Sequence, residues 1–219
     1  MTIKILNTNL DKQIRFCEMV LLFIGVPLSI IESKSNLVMF ITLNAVALMC
    51  VIYLKKKKIK IFNKDEFSNP KFFKYQFLRV FFIGSAILIF SYIYDQKNFL
   101  DLPKYNLFLW MIIIFVYPIL SAFPQEIVYR TFFFKRYKHL FDNKITLVLV
   151  NAFLFSFAHV IFMNPIVLIF TFFGGIIFAY IYSTTNSLVK VSLEHGLFGD
   201  IVFSSGLGVY FYHLTAIQH

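Results

Sequence analysis

The sequence predicts an all-α fold: one membrane domain, residues 1–219, built as a bundle of about seven transmembrane helices with a cytoplasmic N-terminus. Hydrophobic residues make up 59% of the chain, which is more apolar surface than a soluble domain of this size keeps away from water. Long apolar stretches recur along the whole chain and alternate with short polar segments. These two observations indicate an integral membrane protein with no separate soluble module.

Seven stretches have the apolar character of helices that cross a bilayer. They are residues 19–31, 37–54, 80–94, 107–123 with a continuation to 137, 145–163, 166–182 and 188–214. The first is short and lies between two glutamates, and the last carries several charges, so hydropathy alone supports these two least. A polar turn separates the stretch that continues to residue 137 from the stretch 145–163. In this turn, Asp142 and Asn143 are predicted to act as turn and cap residues.

The basic residues predict the orientation of the bundle. With the N-terminus in the cytoplasm, the inner segments hold 18 of the 21 Lys and Arg residues, and only Lys34, Lys97 and Lys104 lie outside. This asymmetry follows the positive-inside rule. The run from Lys55 to Lys60 is predicted to contact anionic lipid headgroups. It offers no base-reading or aromatic partners, so no nucleic-acid binding is predicted.

The composition also suggests a cellular location. The chain is rich in Ile, Lys, Phe and Asn and has only two cysteines, too few for a disulfide framework. Together with the positive-inside pattern, this favours a bacterial cytoplasmic membrane.

Ionisable residues lie inside three of the predicted spans. They are Glu126 and Arg130, then His159, and then Glu194, His195 and Asp200. A charge in the hydrocarbon core costs at least a few kcal/mol, so such residues generally face a protein interior or a wet cavity and mark a functional site. Taken singly, an ion pair or a histidine that bonds a neighbouring helix would explain each of them. Their occurrence together favours an active site.

Spacing predicts which of these residues meet. Folding the chain into a helical hairpin about residues 142–143 puts Glu126 and His159 each about 16 residues, or roughly 24 Å, from the turn. Glu126 and Arg130 stand at positions i and i+4 of one helix, so they share a face and can pair. His195 follows the predicted inner end of the last helix near Lys190 by one to two turns. A cavity that opens inward would bring His195 to the other two.

Three segments carry a family resemblance: Pro124-Gln125-Glu126-Ile127-Val128-Tyr129-Arg130, Phe155-Ser156-Phe157-Ala158-His159, and Glu194-His195-Gly196-Leu197-Phe198-Gly199-Asp200. In order and spacing, over about residues 106–208, they resemble the CPBP family of CAAX prenyl proteases and bacteriocin-processing or Abi proteins. The family patterns are Glu-Glu-x-x-x-Arg, Phe-x-x-x-His and His-x-x-x-Asn/Asp.

The resemblance implies an intramembrane endopeptidase of glutamate type, acting on a membrane-tethered peptide or protein. By position it implies that Glu126 and His159 activate a water and that His195 stabilises the oxyanion. Supporting roles would fall to Gln125, Arg130, Asp200 and Glu194.

Two positions depart from the family pattern. Gln125 replaces the first glutamate, and an amide cannot accept a proton as a carboxylate does. Position i+4 from His195 is Gly199, and Asp200 follows one residue later, which rotates it by about 100° around the helix. Two alternatives therefore stay open. One is a catalytically silent relative that acts as a membrane regulator or bacteriocin-immunity protein, and the other is a proton-coupled transporter using Glu126, His159 and Asp200.

No cofactor is predicted outright. Zinc is the alternative, with Glu126, His159 and His195 as a His₂Glu set that keeps one position open for water. The chain lacks the His-Glu-x-x-His signature of many zinc peptidases.

Overall fold

The computed structural model describes residues 2–33, 35–62 and 70–211, with side chains from residue 9 onward, and all regular secondary structure in these ranges is helical. This confirms the predicted all-α class. The helices, in chain order, are α1 (Thr2–Val20, continued by π-helical Leu21–Gly25 and by Val26–Ile31), α2 (Asn36–Lys56), α3 (Pro70–Tyr94), α4 (Asp101–Tyr105), α5 (Leu107–Leu140), α6 (Lys144–Phe157), α7 (Pro165–Thr185) and α8 (Leu188–Ser205). Short 3₁₀ turns follow α6 and α8, at Val160–Phe162 and Leu207–Phe211.

Within the described ranges, 6 helices are long and apolar enough to cross a membrane. These are α1, α2, α3, α5, α6 and α7, and α8 is the seventh long helix of the predicted bundle. The first helix is longer than predicted, because its polar N-terminal half is also helical. Lys34 and the predicted end of the last span, residues 212–214, lie outside the described residues. The cytoplasmic N-terminus stays a prediction.

Polar caps begin most of these helices. The side chains of Asn106, Asn143 and Asn164 accept hydrogen bonds from backbone N–H groups of the first turns of α5, α6 and α7. Ser35 and Ser187 do the same for α2 and α8. Such caps satisfy donors that a helix start leaves free. The predicted role of Asn143 as a cap is confirmed by its 2.8 Å bond from Thr146 N.

α5 contains two π-helical segments, Pro118–Ala122 and Ile127–Phe132, separated by the single α-turn Phe123–Glu126. Proline lacks the backbone N–H that would bond the carbonyl four residues earlier. For Pro124 that carbonyl belongs to Leu120, and it instead accepts a 3.3 Å bond from Asn44 Nδ2 of α2. The π segments change the register of the helix on both sides of Gln125 and Glu126.

The other helices pack around this part of α5. Phe23 of α1 is fully buried, and its ring contacts those of Tyr129, Phe133 and Tyr137. α6 and α7 approach closely because Gly175 has no side chain: a Cβ there would lie 3.0 Å from Ala152 Cα. α8 passes through the interior despite its charges, and Glu194 on it is fully buried.

Candidate active site

The helices line a cavity of about 810 Å³, within the size range of small-molecule sites in proteins. Its wall is mostly apolar and comes from α1, α2, α3, α5, α6, α7 and α8. The polar groups on the wall relevant to chemistry are Tyr117, Ser121, Gln125, His159 and His195. Three residues singled out from the sequence, Gln125, His159 and His195, therefore share one cavity. Glu126 is not part of its wall.

Glu126 lies behind His195. Its side chain is 0% exposed, and Oε1 lies 2.8 Å from His195 Nδ1. A carboxylate only accepts, so Nδ1 carries the proton and donates a hydrogen bond to Glu126. Oε2 lies 3.2 Å from Nε of Arg130, which is also 0% exposed. The ion pair predicted from the i, i+4 spacing thus forms, and the same carboxylate also holds the imidazole.

Arg130 is held from its other side by Asn151, a residue that was not predicted from the sequence to belong to the site. Its Nη1 donates to Asn151 Oδ1 at 2.9 Å, and Asn151 Nδ2 donates to the Tyr129 carbonyl at 2.7 Å. The guanidinium carbon lies 4.7 Å from the centre of the Phe155 ring, a cation–π contact. The signal for Asn151 was its amide in the middle of an otherwise apolar span.

Both ring nitrogens of His195 are occupied. Nδ1 bonds Glu126, and Nε2 lies 3.1 Å from the hydroxyl of Tyr117. The ring also stacks on Phe178, with centroids 4.6 Å apart. Tyr117 was not singled out from the sequence, where it is one aromatic residue among many in an apolar stretch. The contacts fix the orientation of the imidazole on both edges and on one face.

Tyr117 reaches His195 because position 199 is a glycine. A Cβ at Gly199 would overlap the phenol ring and lie 2.6 Å from its Oη. Gly199 lies one helical turn after His195 on the same face of α8. The phenol of α5 therefore fills the volume in which a side chain at position 199 would stand.

His159 lies just after the end of α6. Its Nδ1 is 2.8 Å from the carbonyl oxygen of Phe155. A carbonyl only accepts, so Nδ1 donates, and in the neutral ring Nε2 carries the lone pair. The ring of Phe155 contacts both imidazoles, with centroids 4.9 Å from His159 and 5.5 Å from His195. One aromatic side chain thus separates and orients the two histidines.

Gln125 presents an unsatisfied acceptor at the cavity. Its Nε2 donates to Ser121 Oγ at 3.0 Å. Its Oε1 is buried and has no hydrogen-bond partner among the described residues. A buried carbonyl oxygen without a partner is costly, and a donor such as a water or a ligand N–H would satisfy it.

The remaining two acidic residues lie elsewhere. Glu194 forms a two-point ion pair with Arg79 of α3, at 2.7 and 3.0 Å. Neither Glu194 nor Asp200 is part of the cavity wall, and Asp200 Oδ1 is buried without a partner among the described residues. Glu194 therefore links α8 to α3. The rotation expected for Asp200 agrees with its position off the cavity.

The residues named for zinc do not form a metal-binding set. In the part of the chain that the structure describes, no three His, Cys, Asp or Glu side chains are grouped so as to hold a metal ion. Both ring nitrogens of His195 are already hydrogen-bonded, Nδ1 to Glu126 and Nε2 to Tyr117. The donor set therefore does not fit zinc.

One comparison with known proteins gives a match. Residues 106–199 match the family described as Rce1-like, Type II CAAX prenyl endopeptidase Rce1-like. No curated protein and no solved structure matches the chain. The matched range contains Tyr117, Gln125, His159 and His195 and ends one residue before Asp200.

Proposed function

The chain belongs to the CPBP family of CAAX-type membrane proteases, and from this premise we propose that it is an intramembrane endopeptidase. It hydrolyses a peptide bond of a membrane-associated peptide or protein. The observation that carries the proposal is that His159, His195 and Gln125 share one cavity inside the bundle while Glu126 holds His195.

His159 acts as the base in this proposal. Because its Nδ1–H is bonded to a backbone carbonyl, the neutral ring offers the lone pair of Nε2 to a water. The free Oε1 of Gln125 accepts a hydrogen bond from the same water and helps to hold it. The sequence suggested Glu126 on the water. Its burial behind His195 supports a different role, in which Glu126 positions His195.

The reaction follows from these roles. Nε2 of His159 takes one proton of the water as its oxygen attacks the scissile carbonyl carbon, and the electron pair of the C=O bond moves to the oxygen. The side of the cavity formed by His195 stabilises this oxyanion. The pair then returns, the C–N bond breaks, and His159 gives its proton to the leaving nitrogen. Peptide and water become a carboxylic acid and an amine.

Cleavage assays test the proposal. The full chain is purified in detergent and incubated with a library of peptides tethered to a membrane anchor. The parent cleaves at least one member, and His159→Ala lowers kcat/KM by about 10²–10⁴-fold, as expected for loss of a general base. His139→Ala, in the exposed turn before α6, is the matched control and cleaves like the parent. Equal activity of the parent and His159→Ala would refute the mechanism.

The amide at position 125 favours a second candidate. A catalytically silent relative that binds and regulates a partner, or confers immunity to a bacteriocin, would keep the cavity and lack a carboxylate on its wall. In that case His159→Ala leaves the cellular phenotype intact, while substitutions that disrupt helix packing abolish it.

The membrane context is also part of the proposal. We assign the protein to a bacterial cytoplasmic membrane. The five lysines between positions 55 and 60 are all exposed at the end of α2, where they contact anionic headgroups.

A further inference from the structure

His195 has no free N–H for a substrate. With a neutral ring, the one N–H is at Nδ1 and is donated to Glu126, while Nε2 accepts from Tyr117. With a protonated ring, Nε2–H is donated to the Tyr117 oxygen instead. An oxyanion needs a donor that is aimed at it and not already used. In both protonation states, therefore, the imidazole has no N–H left to donate to an oxyanion.

The hydroxyl of Tyr117 is the outer end of the same hydrogen-bonded chain. Tyr117 lines the cavity, and its Oη is the group that meets Nε2 of His195. Its ring lies over the backbone of Gly199 and contacts the edge of Phe203, at a centroid distance of 5.0 Å. The phenol is therefore fixed by packing and not only by its hydrogen bond, as a preorganised donor must be.

We propose that Tyr117 donates the hydrogen bond that stabilises the oxyanion, with His195 and Glu126 positioning it. The inference rests on the proposed peptidase function. The step begins with His195 protonated at both ring nitrogens, so that Nε2–H donates to the Tyr117 oxygen and leaves the phenolic O–H free. As the carbonyl oxygen gains the electron pair, this O–H donates to it. When the C–N bond breaks, the pair returns to the carbonyl and this hydrogen bond weakens. Tyr117 keeps its proton throughout, so it is neither acid nor nucleophile.

Kinetics of Tyr117→Phe test the inference on a peptide that the parent cleaves, with the full chain in proteoliposomes. Removal of one oxyanion donor lowers kcat by about 100-fold or more and leaves KM within about twofold. Tyr210→Phe is the matched control, because its hydroxyl bonds Asp95 outside the cavity, and it keeps the parental kcat. A parental kcat in Tyr117→Phe, or a change confined to KM, overturns the inference.

A rescue experiment separates a catalytic donor from a packing role. Tyr117→Ala empties the volume that the phenol ring fills beside Gly199. The double variant, which also carries Gly199→Asn, places the side-chain N–H donor of an asparagine on α8 into that volume. The double variant regains at least about tenfold in kcat over Tyr117→Ala if a donor is what was lost. No gain in a double variant that unfolds at the parental temperature overturns the inference.

The outcomes distinguish the two proposals. Suppose that the parent cleaves a peptide, that His159→Ala does not, and that Tyr117→Phe cleaves as fast as the parent. The proposed peptidase function is then supported, and the proposed role of Tyr117 is refuted. If the parent cleaves no member of the library, both fall.

Discussion

Glu126 and His195 form a direct hydrogen bond of 2.8 Å between Oε1 and Nδ1, although they lie on different helices and Glu126 takes no part in the cavity wall. The carboxylate that the sequence singled out as a base therefore meets an imidazole, not the cavity. Its neighbour Gln125 takes the place on the wall.

Glu126→Gln is expected to destabilise the protein strongly, because it leaves the buried guanidinium of Arg130 without a counter-charge. Breaking a buried ion pair in this way costs about 3–5 kcal/mol. Unfolding in a denaturing detergent measures the change. Glu18→Gln is the control: Glu18 pairs with Arg136 and its side chain is 35% exposed, so its loss costs about 1 kcal/mol or less. Equal effects of the two substitutions would contradict the buried-pair assignment.

Gln125→Glu is expected to raise activity. The new carboxylate would stand on the cavity that holds His159 and would accept a proton, which the amide cannot do. We expect kcat/KM for the peptide cleaved by the parent to rise at least about tenfold. Gln96→Glu, in the turn after α3 and outside the cavity, controls for the added charge. An unchanged rate would show that the cavity makes no use of a base at position 125.

Gly199→Ala is expected to lower both stability and activity. Its Cβ would overlap the ring of Tyr117, so the phenol must move away from His195. Overpacking of this kind costs about 1–3 kcal/mol. Thermal unfolding and cleavage rates measure the two effects. Gly25→Ala is the matched control, because its Cβ would lie at 3.9 Å from Leu21, an ordinary contact, and Gly25 does not line the cavity. A harmless Gly199→Ala would contradict the position of Tyr117.

The hydrogen bonds around Asp95, just after the end of α3, predict that the protein loses stability in acid. Burial acts to raise the pKa of Asp95, but hydrogen bonds from Asn98 and Tyr210 outweigh it and hold the pKa below its ordinary value. Because the folded pKa is the lower one, the carboxylate contributes stability above the ordinary Asp value of about 4, and this is lost as the pH falls through the folded pKa.

Thermal unfolding from pH 6 down to pH 2 measures this contribution. Asp95→Asn should remove that part of the pH dependence, while Asp101→Asn, on the nearby short helix α4, should leave it in place. Identical pH profiles for the parent and Asp95→Asn would contradict the assignment.

Replacement of Lys55, Lys56, Lys57 and Lys58 by Gln is expected to weaken the interaction with anionic bilayers. Each lysine near a negatively charged surface contributes about 1 kcal/mol. Retention of phosphatidylglycerol during purification, compared with phosphatidylcholine, measures the effect. Replacement of Lys97 and Lys104 by Gln is the control, because these two lysines are predicted to face the opposite side of the membrane. Equal losses in the two variants would contradict the predicted orientation.

Much of the fold was predictable from local patterns. The apolar stretches gave the long helices, the polar turn gave the Asn143 cap, and the i, i+4 spacing gave the Glu126–Arg130 pair. Each of these depends on residues a few positions apart. Each of the three polar motifs also contains one predicted site residue that lines the cavity, namely Gln125, His159 and His195.

The facing of Gln125 and Glu126 was not predictable in this way. Hairpin spacing assumes a regular helix, whereas α5 contains two π-helical segments on either side of these residues, and each one changes the direction in which later side chains point. The Tyr117–Gly199 contact was equally hidden. Tyr117 of one helix fits against the other helix because Gly199 has no side chain. The pattern of apolar residues within either helix does not predict such a contact.

The carbonyl of Leu120 carries a consequence for the evolution of the chain. Pro124 deprives it of its helical donor, and the amide of Asn44 on another helix supplies the replacement. An apolar residue at position 44 would remove this hydrogen bond, and its loss in an apolar surrounding costs free energy unless position 124 regained an N–H. Among homologous chains, an amide at position 44 and a proline at position 124 should therefore be gained and lost together.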